Sequence, residues 1–335
     1  MKYKSNKGFT HGQPDKIGVL VTNLGTPEAP TKQALRPYLK EFLSDPRVVE
    51  VPKAIWWFVL NGIILNFRPK RSAEAYSTVW TEEGSPLMAI TKAQASAIAE
   101  RCKAQYGDDV IVDFAMRYGK PAIGDTIESM LEKGVRKLVV LPLYPQYAAA
   151  TTATVCDEVY RVLMGMRWQP SLQIIPHYES EPLYIKALSN SLHLKISKLS
   201  WKPDLVLASY HGIPQKYFDK GDPYHCYCHK TSRLLSEEFK SIEIKTSFQS
   251  RFGPEAWLKP YTDKTLENLP REGKKNILVI CPGFSSDCVE TLEEISIQGK
   301  ESFLLSGGKN FDVVPCLNDN DDHINLLEKL TREAL

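Results

Sequence analysis

Cysteine is scarce in this chain, and no sign of charge dominates. The 335 residues include seven cysteines, an odd and scattered set that excludes a disulfide framework and fits a reducing compartment. Against 42 basic side chains stand 40 acidic ones, and a net charge of +2 leaves no global field to draw the protein onto nucleic acid. No apolar run reaches the roughly 20 residues that a membrane-spanning helix needs. Met1 to Asp15 is polar and lacks the apolar core and small-residue cleavage site of a secretory signal, so residues 1–15 are expected to be a loose leader. Together these absences predict a cytoplasmic protein of two modest domains or one large one, whose partners are recognised locally.

The most informative stretch that is present is Leu205-Val-Leu-Ala-Ser-Tyr-His-Gly-Ile-Pro214. The apolar run Leu205 to Ala208 predicts a strand covered on both faces, and Gly212 with Pro214 breaks it directly after His211. Ligands of open α/β sheets bind outside the carboxyl ends of the strands. An imidazole there exchanges protons near neutral pH or offers a nitrogen to a metal. The alternative is a structural histidine satisfied by hydrogen bonds, and a second polar constellation weighs against it. After the predicted strand Asn276 to Ile280, Ser285-Ser-Asp-Cys-Val-Glu-Thr-Leu-Glu-Glu-Ile295 predicts the opening of a helix. Asp287, Glu290 and Glu294 fall three and four residues apart, which puts their carboxylates on one face. Alone, Asp287 and Glu290 read as a capping box. Beside His211, they read as a site that handles metal ions or protons.

Two halves of the chain resemble one another. Ile17 to Pro27 overlays Leu205 to Pro214, with Gly25 on Gly212 and Pro27 on Pro214, and Glu132 to Pro142 overlays Glu272 to Cys281. Helical stretches at Lys92 to Tyr106, Ile123 to Lys133, Thr152 to Met164 and Leu183 to Leu199 supply the alternation of parallel sheets. The expected architecture is α/β, two Rossmann-like doubly wound lobes over residues 16–170 and 171–335 with a ligand cleft between them, though a closing helix can cross back. The fourteen residues Ala54 to Phe67 are almost wholly apolar, between Lys53 and the group Arg68, Lys70, Arg71. A core helix, and a hydrophobic lip that meets an apolar ligand or the headgroup region of a membrane, have equal weight.

Ser209-Tyr-His-Gly-Ile-Pro214 followed by Asp219-Lys-Gly-Asp-Pro-Tyr224 resembles the pattern of the ferrochelatases, enzymes that insert ferrous iron into a porphyrin to make haem. The resemblance extends through Asn23-Leu-Gly-Thr-Pro27, Gly84-Ser-Pro-Leu87, Met116-Arg-Tyr-Gly-Lys-Pro121, Tyr144-Pro-Gln-Tyr147, Gln249-Ser-Arg-Phe-Gly253, Trp257-Leu-Lys-Pro260 and Gly283-Phe-Ser-Ser-Asp287 with Glu290-Thr-Leu-Glu-Glu294. It implies that His211 and Glu290 are the metal-binding and proton-handling pair, with Asp287 and Glu294 continuing an acidic path. It also implies porphyrin contacts at Leu24, Arg68, Tyr76, Arg117, Tyr118, Tyr144 and Trp257, and an active-site lip at about residues 54–67. The implied substrates are protoporphyrin IX, rather than coproporphyrin III, and Fe2+. No further cofactor and peripheral membrane contact through the lip are also implied; a monomer is expected because the dimer-associated carboxyl-terminal extension of some relatives is missing, and the cysteine usage points to the cytoplasm.

Cys288 stands where many relatives carry histidine, which weakens the case for a second histidine in metal transfer. The loop Ala148-Ala-Ala-Thr151 lacks the cysteine with which some relatives begin a [2Fe-2S] site, and no carboxyl-terminal cysteine triplet follows, so no cluster is expected. Within His225-Cys-Tyr-Cys-His229, Cys226 and Cys228 are spaced more tightly than the usual zinc pair and would need distant partners such as Cys156 or Cys316, so a helix start with partly buried thiols is expected. Rival functions are a cobalt or nickel chelatase for another tetrapyrrole, whose likeness would stop at the site, and a noncatalytic porphyrin carrier, in which Glu290 would be dispensable. A dinucleotide enzyme fits poorly, since Asn23 to Pro27 lacks the G-x-G-x-x-G spacing.

Overall fold

The computed structural model describes residues 3–5 and 10–335. Its elements run β1 (Lys16–Gly25), α1 (Lys32–Ser44), α2 (Lys53–Val59), a π-helical turn (Leu60–Ile64), α3 (Leu65–Val79), α4 (Pro86–Tyr106), β2 (Val110–Tyr118), α5 (Ile123–Glu132) and β3 (Val135–Pro142). There follow α6 (Thr154–Met164), β4 (Ser171–Ile174), α7 (Pro182–Ser197), β5 (Leu205–His211), α8 (Gln215–Asp219), α9 (Tyr224–Glu238), β6 (Ile244–Gln249) and α10 (Thr262–Asn268). The chain closes with β7 (Asn276–Ile280), a π-helix (Glu290–Gly299), α11 (Lys300–Leu305), β8 (Asn310–Val313) and α12 (Asp321–Ala334).

Each half builds one parallel four-stranded sheet, in the orders β2-β1-β3-β4 and β6-β5-β7-β8. The second order repeats the first strand for strand, as the internal likeness predicts. Strand order reverses between β1 and β3, and again between β5 and β7, so each sheet has a switch point at the carboxyl ends of those strands. Val19, Leu20 and Val21 in β1, and Leu205 to Ala208 in β5, are fully buried because helices cover both faces. The matched glycines serve one steric purpose. A Cβ on Gly25, whose φ is +119°, would lie 1.9 Å from the Tyr118 carbonyl oxygen at the end of β2. One on Gly212 would lie 2.9 Å from the Gln249 carbonyl oxygen at the end of β6.

The chain divides into two compact units, but not at residue 170. One comprises the chain through Leu143, Ala149–Pro176 and Ile324–Leu335; the other comprises Tyr144–Ala148 and His177–His323. The first extends past 170 because β4 pairs with β3, from Lys137↔Ser171 to Val140↔Ile174. Its closing helix does cross back: Ile324, Leu327 and Ala334 pack with Val19, Val21, Val139 and Leu141. Tyr144–Ala148 joins the second unit, where the Gln146 amide donates to Thr231 Oγ1 at 2.9 Å. Residues 1, 2 and 6–9 of the expected leader lie outside the described residues. Lys4, however, is tied down: its N–H donates to Gly165 O at 2.8 Å, its carbonyl accepts from Arg167 N at 3.0 Å, and its ammonium pairs with Glu128.

His323 is fully buried at the end of the second unit, with Nδ1 2.6 Å from Asn318 O. Burial pushes its pKa down to about 4. Below the ordinary value near 6.5 the unfolded chain takes a proton that the folded chain refuses, so stability is lost as pH falls from about 6.5 to about 4. The loss attributable to this group approaches about 3 kcal/mol. Thermal unfolding of His323→Gln across that window is expected to show a flatter pH dependence than the parent; an unchanged slope would clear His323 of the effect.

Candidate active site

In the second unit, the predicted residues gather at the switch point. His211 is the last residue of β5, and Glu290 opens the π-helix that follows β7, the strand next to β5 in the sheet. His211 Nδ1 lies 2.6 Å from the Gly212 carbonyl oxygen, which can only accept. A proton therefore sits on Nδ1, which leaves Nε2 as the nitrogen whose lone pair, in the neutral ring, serves a base or metal ligand. The loop behind it is closed by Trp257: Pro214 bridges to Trp257, Leu258 N–H donates to Ile213 O at 3.0 Å, and a Cβ on Gly212 would meet the indole at 3.2 Å. The half-buried indole donates from Nε1 to Phe252 O at 2.8 Å.

The expected α-helix from Ser285 starts later and is wider. Asp287 holds the chain out of helix: it accepts from Thr291 Oγ1 at 2.8 Å, from Cys316 N–H at 3.3 Å and from Asn318 Nδ2 at 2.7 Å. With three donors and 8% exposure, Asp287 serves as a structural tie rather than an open acidic position. From Glu290 the backbone runs as a π-helix, a form common at functional sites. Glu290 and Glu294 remain close enough to interact, and Glu294 also feels His211. Burial raises the pKa of Glu294, while the hydrogen bonds from Ser250 and the nearby His211 oppose that rise. The three groups thus form one electrostatically linked set.

Two further residues, Gln249 and Ser250, hold this set in place; the sequence carries them only within the Gln249 to Gly253 motif. Gln249 ends β6; its Oε1 accepts from Ser209 Oγ at 2.6 Å and its Nε2 donates to the Glu290 carbonyl at 2.9 Å, which ties β5 to the π-helix. Ser250 donates to Glu294 from its N–H at 2.7 Å and from its hydroxyl to the other carboxylate oxygen. To do so it adopts φ 64°, a left-handed conformation uncommon outside glycine. The signal that points to them is polarity at the end of an otherwise buried strand. Ser250→Ala is expected to raise the Glu294 pKa further, since the lost hydrogen bond favours the carboxylate, and to move the acid limb of the pH–rate profile upward. Ser250→Thr, which keeps the hydroxyl, is expected to stay nearer the parent.

Cys288 is buried, and desolvation, followed by the charge of Glu290 and a hydrogen bond to it, holds its thiol well above the usual range. It is a neutral neighbour of Glu290, not a thiolate. Among the described residues no three side chains of His, Cys, Asp and Glu converge into a metal cage. Cys226 is exposed and Cys228 fully buried; two positions apart on α9 they face different sides, so they do not chelate as a pair.

In the first unit, Leu24 is next to last in β1 and packs partly buried against the cluster of α1 and α3. Arg68 and Tyr76 are half-buried on α3, where Tyr76 meets Trp80 edge-on. Arg117 and Tyr118 depart from the expected porphyrin role. Arg117 Nη2 donates to Asp45 Oδ2 at 2.6 Å and its Nε to Thr154 Oγ1 at 2.7 Å; the Tyr118 hydroxyl donates to the same Asp45 oxygen at 2.9 Å. Tyr118 is fully buried. Tyr144, in the second unit, is 8% exposed. The apolar segment is not a core helix on all sides: Leu60, Ile64 and Leu65 are buried, whereas Trp57, Phe58, Ile63 and Phe67 are 59%, 68%, 59% and 75% exposed.

Paired parallel sheets of one strand order, with a histidine and an acidic π-helix at a switch point, define a protein of the chelatase fold. Solved structures agree: SirB from Bacillus subtilis with Fe3+ aligns with a TM-score of 0.56 at 13% identity over 95% of each chain. CbiX, described as the terminal enzyme of sirohaem biosynthesis in denitrifying bacteria, aligns at 0.51 and 11% over 96% of this chain and 99% of its own. The chain itself belongs to the ferrochelatase family, whose profile matches residues 16–335. Ferrochelatases of Idiomarina loihiensis and Pseudoalteromonas atlantica are 56% and 54% identical over all of this chain and 92% and 93% of theirs. It is therefore a metal chelatase of haem biosynthesis, with ferrous iron and porphyrin as substrates.

Proposed function

We infer that this chain inserts Fe2+ into protoporphyrin IX with release of two protons, giving protohaem, and that His211 and Glu290 carry the reaction. The observation on which this reading rests is that His211 ends β5 and Glu290 opens the π-helix after the neighbouring strand β7, the two segments tied together through Gln249. Insertion must remove two protons from pyrrole nitrogens and strip water from the ion. Through Nε2, His211 accepts one proton or presents the metal, and Glu290 accepts the other or holds the ion. Glu294, whose pKa burial raises, is proposed to pass protons onward. A pocket fitted to a bent macrocycle favours the transition state over the flat ring. Trp257, braced against Gly212, and Tyr144 are proposed to press on the ring; Leu24, Arg68 and Tyr76 are proposed as further porphyrin contacts. No cluster is assigned, because Ala148 to Thr151 offers no cysteine.

The exposed aromatics of the lip, flanked by Lys53, Lys70 and Arg71, support contact with a lipid headgroup region from the cytoplasmic side. No helix among the described residues is long and apolar enough to cross a membrane. The deciding experiment is anaerobic incubation of the protein with Fe2+ and either protoporphyrin IX or coproporphyrin III, followed by absorbance. Faster turnover of protoporphyrin IX supports the reading; turnover of coproporphyrin III alone reassigns the substrate.

A further inference from the structure

Helix α9 opens with His225-Cys-Tyr-Cys-His229, and the reaction proposed above uses none of these residues. Four positions apart on a helix, His225 and His229 share one face. Their ring centroids are 4.4 Å apart. Aromatic neighbours fix both rings: His225 stacks on Phe248 at 5.7 Å and 20° and tilts against Phe218 at 5.0 Å, while His229 meets Phe248 at 6.0 Å. Among the described residues neither imidazole makes a hydrogen bond or ion pair. His229 is nevertheless exposed and His225 half-buried, so solvent reaches the pair. Burial lowers the pKa of His225, and burial together with the charge of His225 lowers that of His229, so both shifts favour the neutral ring, the form that offers a lone pair to a metal.

Two histidines four residues apart on one helix face are a recurrent way to chelate a transition metal. Metal–nitrogen bonds of about 2.0–2.1 Å bring two coordinating nitrogens to about 3 Å from each other, and ring centroids only 4.4 Å apart put these two imidazoles on that scale. We propose that His225 and His229 form a second metal site, taking a first-row divalent cation of the zinc, nickel and cobalt class through two imidazole nitrogens, with water completing the shell. Cys226 lies about 100° round the helix and Cys228 is buried, so neither thiol joins. The site is separate from the reacting residues. Phe248, which carries the histidine pair, and Gln249, which binds the Glu290 carbonyl, are consecutive in β6 and so point to opposite faces of the sheet.

The test measures Ni2+ alone, by equilibrium dialysis, on full-length protein carrying His211→Ala and Glu290→Ala so that the reaction site does not compete. One equivalent is expected to bind. Either His225→Gln or His229→Gln, added to that background, is expected to weaken binding at least about tenfold, on the scale of losing a ligand-supporting group. His229 is exposed, so its glutamine variant keeps the fold, which circular dichroism checks. Cu2+ electron paramagnetic resonance gives an independent readout, expected to show two-nitrogen coupling in the background protein and one in each glutamine variant. Equal Ni2+ affinity in all three proteins, or no binding in the background, overturns the proposal.

Discussion

Replacing Glu290 by alanine is expected to lower the rate of Fe2+ insertion by about 10²–10⁴-fold, the range for losing a positioned proton acceptor, while porphyrin still binds. His211→Ala is expected to fall in the same range. The two losses should not add, because both groups belong to one electrostatically linked set with Glu294. Stopped-flow absorbance of insertion, paired with fluorescence titration of porphyrin, separates the two quantities. Full turnover by Glu290→Ala would show that the proton leaves by another route. Loss of porphyrin binding in step with turnover would move Glu290 from chemistry to ring binding.

The second large effect falls on stability. Asp45 Oδ2 collects Arg117, Tyr118 and Thr154, and the Arg117 and Asp45 side chains are 14% and 6% exposed. Asp45→Ala leaves a buried guanidinium unpaired, which costs about 3–5 kcal/mol and lowers Tm by roughly 10 °C. Arg117→Ala is expected to lower Tm comparably, and the double variant to lose less than the sum. The expected effect on porphyrin KM is small beside that. Arg117→Ala with an unchanged Tm and a raised KM would return Arg117 to the porphyrin and reject the structural role.

Both cases show how far local pattern reaches. β5 and its histidine are legible because a strand buried on both faces must be continuously apolar, and a glycine and proline must end it. The repeated sheet is legible for the same reason at β1, β3 and β7. Ser250 is different. Its clamp on Glu294 joins residues 44 positions apart, and its left-handed backbone leaves no mark in composition. Asp287 reads as a cap from its neighbours, and Thr291 does donate to it, yet two of its three donors come from Cys316 and Asn318, on the far side of β8.

By itself the sequence determined two matched α/β halves, the histidine at a strand end and the acidic segment after the neighbouring strand, and membership of the ferrochelatases, since strand runs, turn breakers and ordered motifs are local or survive as linear patterns. Tertiary structure alone decided that Arg117 spends its charge on Asp45, 72 positions away, that the acidic segment winds as a π-helix, and that the lip turns one apolar face outward. Each depends on which distant group fills a buried polar atom's hydrogen-bonding capacity or covers an apolar face, and only the folded chain brings those groups together.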